Sequence, residues 1–421
     1  KFINPEQSLY FVALGAALSD DETGMTADEL LTRTVACNAN ASKTADEYLP
    51  ALFADEEEYR LFTERHGKST VPRAKLEEYS GKTFLGIDAG STTLKLVLIG
   101  EQGELLHSYY SANKGNPLTT AVNALHDLYR KLPPTATIAY SGVTGYGEHL
   151  IRAALQADFG EVETVAHLTA ARHFMPDVSF VLDIGGQDMK SFYVTDGRVD
   201  SLVLNEACSS GCGSFIENFS QANGMTVQEF AALGLKAKNP VDLGTRCTVF
   251  MDSKVKQVQK EGADISDISA GICISVIKNA LFKVIRIKNT ADLGKNIVVQ
   301  GGTFYNDTIL RAMEQLIGHE VIRPDISGLM GAYGIALLAR ERFGPALRTS
   351  LLADEMLDTF KPLTSSRRCS LCGNRCLITT QRFPNGQEYS AGNRCERGTG
   401  HISAHADLPN LYSYKYNRLF Q

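Results

Sequence analysis

Two segments of this chain join a carboxylate to a turn of small residues: Gly86-Ile-Asp-Ala-Gly-Ser-Thr-Thr-Leu-Lys95 and Val181-Leu-Asp-Ile-Gly-Gly-Gln-Asp-Met-Lys190. In each, an apolar strand ends in an acidic residue, Asp88 or Asp183, and the small residues after it leave backbone amides open to phosphate oxygens. The two carboxylates are then free to hold a metal ion through water. One such turn is weak evidence, but two of them some ninety-five residues apart fit paired lobes that clasp a nucleotide. Gly301-Gly302 closes a third apolar segment, 296–300, and a glycine pair lets backbone lie flat against an adenosine. A plain structural turn is the alternative for that pair.

Directly after the second turn comes Asn205-Glu-Ala-Cys-Ser-Ser-Gly-Cys-Gly-Ser-Phe215. Cys208 precedes a predicted helix over 214–223, and Cys247 opens another over 248–261. Helix N-termini carry unpaired amides and partial positive charge, which favour thiolate and an anionic metal group. An isolated cysteine is otherwise an inert packing residue, the reading given to Cys273 in an apolar helix and to Cys37. Near the C-terminus, Cys369-Ser-Leu-Cys-Gly-Asn-Arg-Cys376 and Cys395 form a four-thiol set suited to zinc or to iron–sulfur. Sulfur ligation alone does not choose between those metals, and unliganded thiols are the alternative.

The elements that must position these residues alternate between short β-branched strands and helices from Thr83 onward, an α/β pattern. Strands are predicted over 83–87, 95–99, 137–141 and 296–300, with helices over 119–131 and 265–287. The first lobe spans 83–175 and the second 176–342, followed by a linker over 343–366 and a Cys-rich metal-binding segment over 367–421. Residues 20–80, with runs such as Asp55-Glu-Glu-Glu58, read as a charged helical connector whose charges are solvated. Pro5–Ala17 overlays Pro324–Ala336, matching at Pro, Ser, Ala and Gly positions. Residues 1–19 are therefore expected to be the tail of a preceding copy of the same domain, and the chain a fragment of a tandem protein.

Composition bounds the function. With 421 residues, 43% hydrophobic and 21% charged, the chain can bury a large core. A net charge of -6 without a basic cluster gives no electrostatic footprint for nucleic acid. The most apolar helical stretch, 269–287, is interrupted by Lys278, Lys283 and Arg286, so an amphipathic or buried helix is expected there rather than a membrane span. Nine unevenly placed cysteines suit reduced thiols and metal ligands, and the expected compartment is the cytoplasm.

Taken together with Thr144-Gly-Tyr-Gly147 and Cys247-Thr-Val-Phe250, these motifs resemble the BadF/BadG/BcrA/BcrD ATPase family over about residues 83–342. The family includes activators of 2-hydroxyacyl-CoA dehydratases and ATPase subunits of benzoyl-CoA reductase. The resemblance implies an actin/Hsp70/sugar-kinase-like fold of two ribonuclease-H-like lobes. It also implies an ATP-hydrolysing redox activator of anaerobic acyl-CoA metabolism, in which MgATP drives a low-potential electron from a 4Fe-4S cluster to a partner iron–sulfur enzyme. Carried over, Cys208 and Cys247 each hold the cluster, which needs four thiolates and so a homodimer or a tandem-copy pseudo-dimer. The acceptor is a dehydratase or reductase, and the donor a reduced ferredoxin or flavodoxin. Gly90, Ser91, Thr92, Thr93 and Lys95 contact phosphates, Asp88 and Asp183 hold Mg2+, and Gln187 or Asp188 orients the attacking water. Gly145, Gly185, Gly186, Gly301, Gly302 and Gly331 complete the nucleotide site. Cys212 departs from the simplest activator pattern, as a further ligand or as support for the helix start.

The same ATP clamp serves sugar kinases, which makes a small-molecule kinase the alternative, with a regulatory module lacking turnover behind it. A kinase has no need of Cys208 or Cys247, and no sugar-binding acid is evident between the turns.

Overall fold

The computed structural model describes residues 8–18, 25–33, 48–205, 213–245, 248–344, 346–400 and 411–420. Cys37, Cys208, Cys212 and Cys247 lie outside the described residues. The chain divides into two units, Lys1–Leu49 and Pro50–Gln421.

In the first unit a 3-10 turn, Ser8–Tyr10, runs into helix α1 (Phe11–Leu18). In the second unit a 3-10 turn at Ser327–Leu329 runs into the helix Met330–Arg342. The two successions coincide in the register of the Pro5/Pro324 overlay. A second helix, α2 (27–33), starts from Thr26, whose hydroxyl accepts from Glu29 N (3.2 Å) while Glu29 Oε2 accepts from Thr26 N (2.9 Å). That reciprocal pair is a capping box.

The second unit carries two sheets of the same plan. The first has the order β3-β2-β1-β4-β5, from β1 (Gly81–Ala89), β2 (Thr93–Ile99), β3 (Leu105–Ala112), β4 (Ala136–Thr144) and β5 (Phe159–Gly160). The other has the order β8-β7-β6-β9, from β6 (Phe180–Ile184), β7 (Met189–Thr195), β8 (Arg198–Asn205) and β9 (Ile297–Gln300). In both, a central strand pairs antiparallel with the next strand and parallel with a later one. Central strands are covered on both faces, which is why β1 and β6 read as near-continuous apolar runs. Edge strand β3 instead alternates half-buried and exposed residues after Leu106. The result is an α/β fold of two lobes whose sheets share one plan.

Helix α3 is Glu56–His66, and α4 (Pro117–Lys131) begins at Asn116, whose side chain accepts from Thr119 N. Leu118, Ala121, Leu125 and Leu128 make its apolar stripe against the first sheet. Next come α5 (Glu148–Leu155), α6 (Glu163–Phe174), α7 (Gly213–Ala222), α8 (Val227–Gly234), α9 (Thr248–Lys260), α10 (Ile265–Lys278), α11 (Asp307–Ile317) and α12 (Met330–Arg342). Together with the π-helical turn Asn279–Ile285, α10 is a buried core helix, the second of the two alternatives for that stretch: the helical run Ile265–Ile285 is long and apolar enough to cross a membrane, yet 72% of its apolar window is buried.

Helix α12 is last in the second lobe by sequence position, and it packs against β1, β2 and β4 of the first sheet and against α6. Glycine makes that approach possible: a Cβ on Gly334 would stand 1.8 Å from Ala166 O, and one on Gly86 2.0 Å from Ala332 O. Helices α6 and α12 share one core with Phe84 and Val97 of the first sheet and Val181 and Phe192 of the second. They form the seam along which the lobes meet.

The connector's charges are partly buried. Glu314 on α11, only 3% exposed, accepts from Arg65 Nη2 (2.6 and 2.7 Å) and lies 3.1 Å from His66 Nε2, while Arg311 pairs with Glu58. The run Asp55–Glu57 is itself exposed, as expected of a solvated face, while Arg65 and His66 at the end of α3 neutralise an acid that α11 buries.

Candidate active site

Each sheet ends at the same edge in the same local construction. Asp88 stands opposite Lys95 across the β1–β2 hairpin and opposite Thr144 on parallel β4, whose next residue is Gly145. Asp183 stands opposite Lys190 on β7 and opposite Gln300 on β9, whose next residue is Gly301. Both glycines have positive φ, +90° and +93°, and a Cβ there would strike backbone, at 2.8 Å from Ala89 O for Gly145 and 2.3 Å from Ile184 O for Gly301. Only glycine turns the chain away while leaving the carboxylate beside it uncovered.

The two edges face one cleft of about 1140 Å³. Its walls bring together Asp88, Gly90, Ser91, Thr92, Thr93, Lys95, Gly145, Asp183, Gly185, Gly186, Gln187, Asp188, Gly301 and Gly302. Gly331, the remaining expected nucleotide-site residue, lies behind the wall: a Cβ on it would sit 2.9 Å from Asp88 Oδ2 and 3.1 Å from His167 Nε2. A second cavity of about 420 Å³ shares Tyr110, Gly186, Glu217 and Gly302 with the cleft and adds Ile216, Val227, Ala231 and Leu329.

The electrostatics differ between the two edges. Lys95 Nζ lies 3.0 Å from Asp88 Oδ2; burial pushes the ammonium pKa down, but the Asp88 carboxylate outweighs burial and raises it. The other oxygen, Asp88 Oδ1, is buried with no hydrogen-bond partner. At the second edge Lys190 pairs with Glu163 (2.7 Å) and Asp188 (2.6 Å), whereas Asp183 Oδ2 receives His167 Nδ1 at 3.0 Å and Gln300 Nε2 at 3.1 Å. Burial opposes charge on His167, but Asp183 and Glu163 outweigh it and raise the imidazole pKa to about 10. For Asp183, burial pushes upward and the His167 cation more than compensates, holding the carboxyl below its ordinary value. The second edge thus keeps Asp183 ionised in a low-dielectric wall.

Helix α7 is fastened to the second turn. Gly213 N donates to Gly185 O (3.0 Å), Ser214 N to Gly186 O (2.8 Å), and Thr303 Oγ1 to Gly185 O (3.0 Å). The residues before α7 include Cys208 and Cys212, and α9 begins one residue after Cys247. All three cysteines lie outside the described residues.

Sequence reasoning missed Glu163, His167, Lys190 and Gln300. The Glu163-x3-His167 spacing, one helical turn at the start of α6, was the available signal. The C-terminal cysteines stand apart from this cleft: Cys369 is buried, Cys372 and Cys395 are exposed, and all of Cys369, Cys372, Cys376 and Cys395 are free. Among the described residues no three His, Cys, Asp or Glu side chains converge as a metal cage.

Comparison with known proteins adds the following. Residues 85–339 match the model of the BadF/BadG/BcrA/BcrD ATPase family. The 2-hydroxyisocaproyl-CoA dehydratase activator of Clostridioides difficile is 34% identical over 257 residues, covering 61% of this chain and 94% of that protein. The (R)-2-hydroxyglutaryl-CoA dehydratase activating ATPase of Acidaminococcus fermentans is 30% identical over 261 residues, covering 61% and 97%. A structure of the activator of the 2-hydroxyisocaproyl-CoA dehydratase from Clostridium difficile, with bound ADPNP, superposes with a TM-score of 0.54 at 32% identity, covering 62% of this chain and 94% of that one.

Proposed function

The chain belongs to the BadF/BadG/BcrA/BcrD ATPase family, and on that premise we propose that it is an ATP-hydrolysing activator of an acyl-CoA dehydratase or related reductase. The observation that carries this reading is the paired construction around Asp88 and Asp183 on the two walls of one cleft, joined through Gly186 and Ser214 to the helix that follows Cys208.

In this reading the amides of Gly90–Thr93 and of Gly185 and Gly186 bind the phosphates, with Lys95 supplying positive charge. The second cavity takes the base, with Gly301 of the cleft and Gly302, which lines both, beside the sugar and the apolar Ile216, Val227 and Leu329 around the ring. Asp88 Oδ1, buried and unpartnered, fits a magnesium-bound water, and Asp183 faces it from the other lobe. Bound there, Mg2+ would neutralise charge on the phosphates. His167 and Gln300 keep Asp183 in place and ionised, while Gln187 or Asp188 orients the attacking water.

The proposal extends to the cysteines. Cys208 and Cys247 hold a 4Fe-4S cluster whose chemistry is one-electron transfer, and they supply half of its ligands. The other half comes from a second chain or a tandem copy, the donor is a ferredoxin or flavodoxin, and the acceptor is the dehydratase's own iron–sulfur centre. Ligands that bind two conformations equally shift nothing, so the nucleotide must favour one arrangement of the second turn. Gly213 and Ser214 carry that preference into α7.

Asp183→Ala tests the ATPase half. Mg-dependent hydrolysis should fall at least about a hundredfold, a loss of roughly 2.7 kcal/mol of transition-state stabilisation; unchanged turnover would show that the turn is structural.

A further inference from the structure

Outside the ATPase lobes, a small antiparallel sheet is built from β10 (Leu363–Arg368), β11 (Leu377–Arg382) and β12 (Glu388–Ala391). One end of it is anchored. Phe383 is buried in the core of the first lobe beside Phe360, and Asn385 Nδ2 donates to Ala153 O and Ala154 O of α5, both at 3.0 Å. The opposite end has almost nothing apolar to hold it. Every residue of β10 is exposed, and between 363 and 400 the buried hydrophobic side chains other than Phe383 are Ile378 and Cys369.

All four C-terminal cysteines are delivered to that open end. Arg368 pairs with Leu377, so Cys369–Cys376 is the β10–β11 turn, closed by Cys369 N donating to Cys376 O at 2.8 Å. Strand β12 returns antiparallel, with Ala391 opposite Thr379, and Gly392 follows in a positive-φ conformation so close that a Cβ would lie 2.2 Å from Leu377 O. The chain therefore passes beside the turn, where Arg367 Nη2 donates to Gly398 O at 2.9 Å, and it brings Cys395 with it. The tetrapeptide Gly-Asn-Arg-Cys occurs twice, as 373–376 and as 392–395, once at each arm of this end. Arg367, Arg368, Arg375, Arg394 and Arg397 all lie within two residues of one of these cysteines.

We propose that Cys369, Cys372, Cys376 and Cys395 form a structural tetrathiolate zinc site that closes the open end of this sheet. A small sheet with so little core needs a covalent or metal staple, and the backbone already gathers the four thiols at one end. The four side chains do not converge as a metal cage in this structure, and Cys372 and Cys395 are exposed. Four thiolates on one Zn2+ carry a net charge of about -2, which the flanking arginines offset. Binding releases the thiol protons, so occupancy falls in acid.

The test uses the full chain, purified anaerobically with reductant, and reads metal rather than activity. About one zinc per chain is expected, retained in the Cys208→Ser, Cys247→Ser double variant and lost in Cys376→Ser and in Cys395→Ser. Wild-type protein stripped and refilled with Co2+ should show thiolate-to-cobalt charge-transfer absorbance, and stripped protein should be cut by protease within 363–400 faster than the zinc form. Absence of both zinc and the cobalt bands, a disulfide among the four cysteines, or iron with sulfide that disappears in Cys376→Ser would each overturn the assignment. Because the metal is followed in the Cys208/Cys247 variant as well, failure here is distinguishable from failure of the proposed cluster.

Discussion

The backbone amide of Ser214 donates to the carbonyl of Gly186 across 2.8 Å, tying the first turn of α7 to the second phosphate turn. Gly213 makes the neighbouring bond to Gly185, and Thr303 closes on the same carbonyl. Any shift of that turn would reach the first turn of α7 through these main-chain bonds, without an intervening side chain.

Gly213→Ala tests this clip. Its Cβ would stand 2.5 Å from Thr303 Oγ1 and so force the clip open. Hydrolysis of MgATP should stay within about threefold of wild type, a change of ~0.7 kcal/mol, while activation of an acceptor enzyme falls by tenfold or more, about 1.4 kcal/mol. Equal losses in both assays would show that the clip serves the active site alone.

Gly331→Ala probes Asp88 from behind. Gly331 lies at the start of α12 without a positive φ, so alanine brings no backbone strain, but its Cβ would press on Asp88 Oδ2 at 2.9 Å. Overpacking of this kind costs roughly 1–3 kcal/mol. The expected result is folded protein, by circular dichroism, with weakened magnesium dependence; wild-type magnesium affinity would remove Asp88 from the metal site.

The Glu314 contacts set an acid limit. Burial would raise the Glu314 carboxyl, but His66 and then Arg65 outweigh it and hold the pKa below its ordinary value of 4.5. A folded pKa below the unfolded one gives stability that is complete above the unfolded value and fades as pH falls through the folded value. Glu314→Gln should therefore lose about 1–3 kcal/mol near neutrality and show a flatter stability profile below pH about 4.5. An acid limb as steep as that of wild type would show that other carboxylates set it.

The parts of the site legible in the sequence are those made by neighbouring residues. Asp88 with Gly90–Thr93, and Asp183 with Gly185 and Gly186, are single strand-and-turn units, and their residue types report the local geometry directly. Gln300 was not legible as a partner of Asp183, because it approaches only through the parallel pairing of β9 with β6, 117 residues away. The burial of Glu314 against Arg65 spans 249 residues and cannot be seen in a charge run. Helix α12 carries apolar side chains on nearly every face, and that pattern does not say which sheet it covers; Gly334 and Gly86, which admit its close approach, decide it.

The central claim is that nucleotide in this cleft acts on a cluster held by Cys208 and Cys247. The most direct measurement is the rate at which an iron chelator bleaches the visible iron–sulfur absorbance of anaerobic protein, with and without MgATP. The account predicts a band that is absent from the Cys208→Ser, Cys247→Ser variant and a bleaching rate that MgATP changes at least about threefold, roughly 0.7 kcal/mol in the barrier. A band that survives in that variant, or a rate indifferent to MgATP, would contradict it.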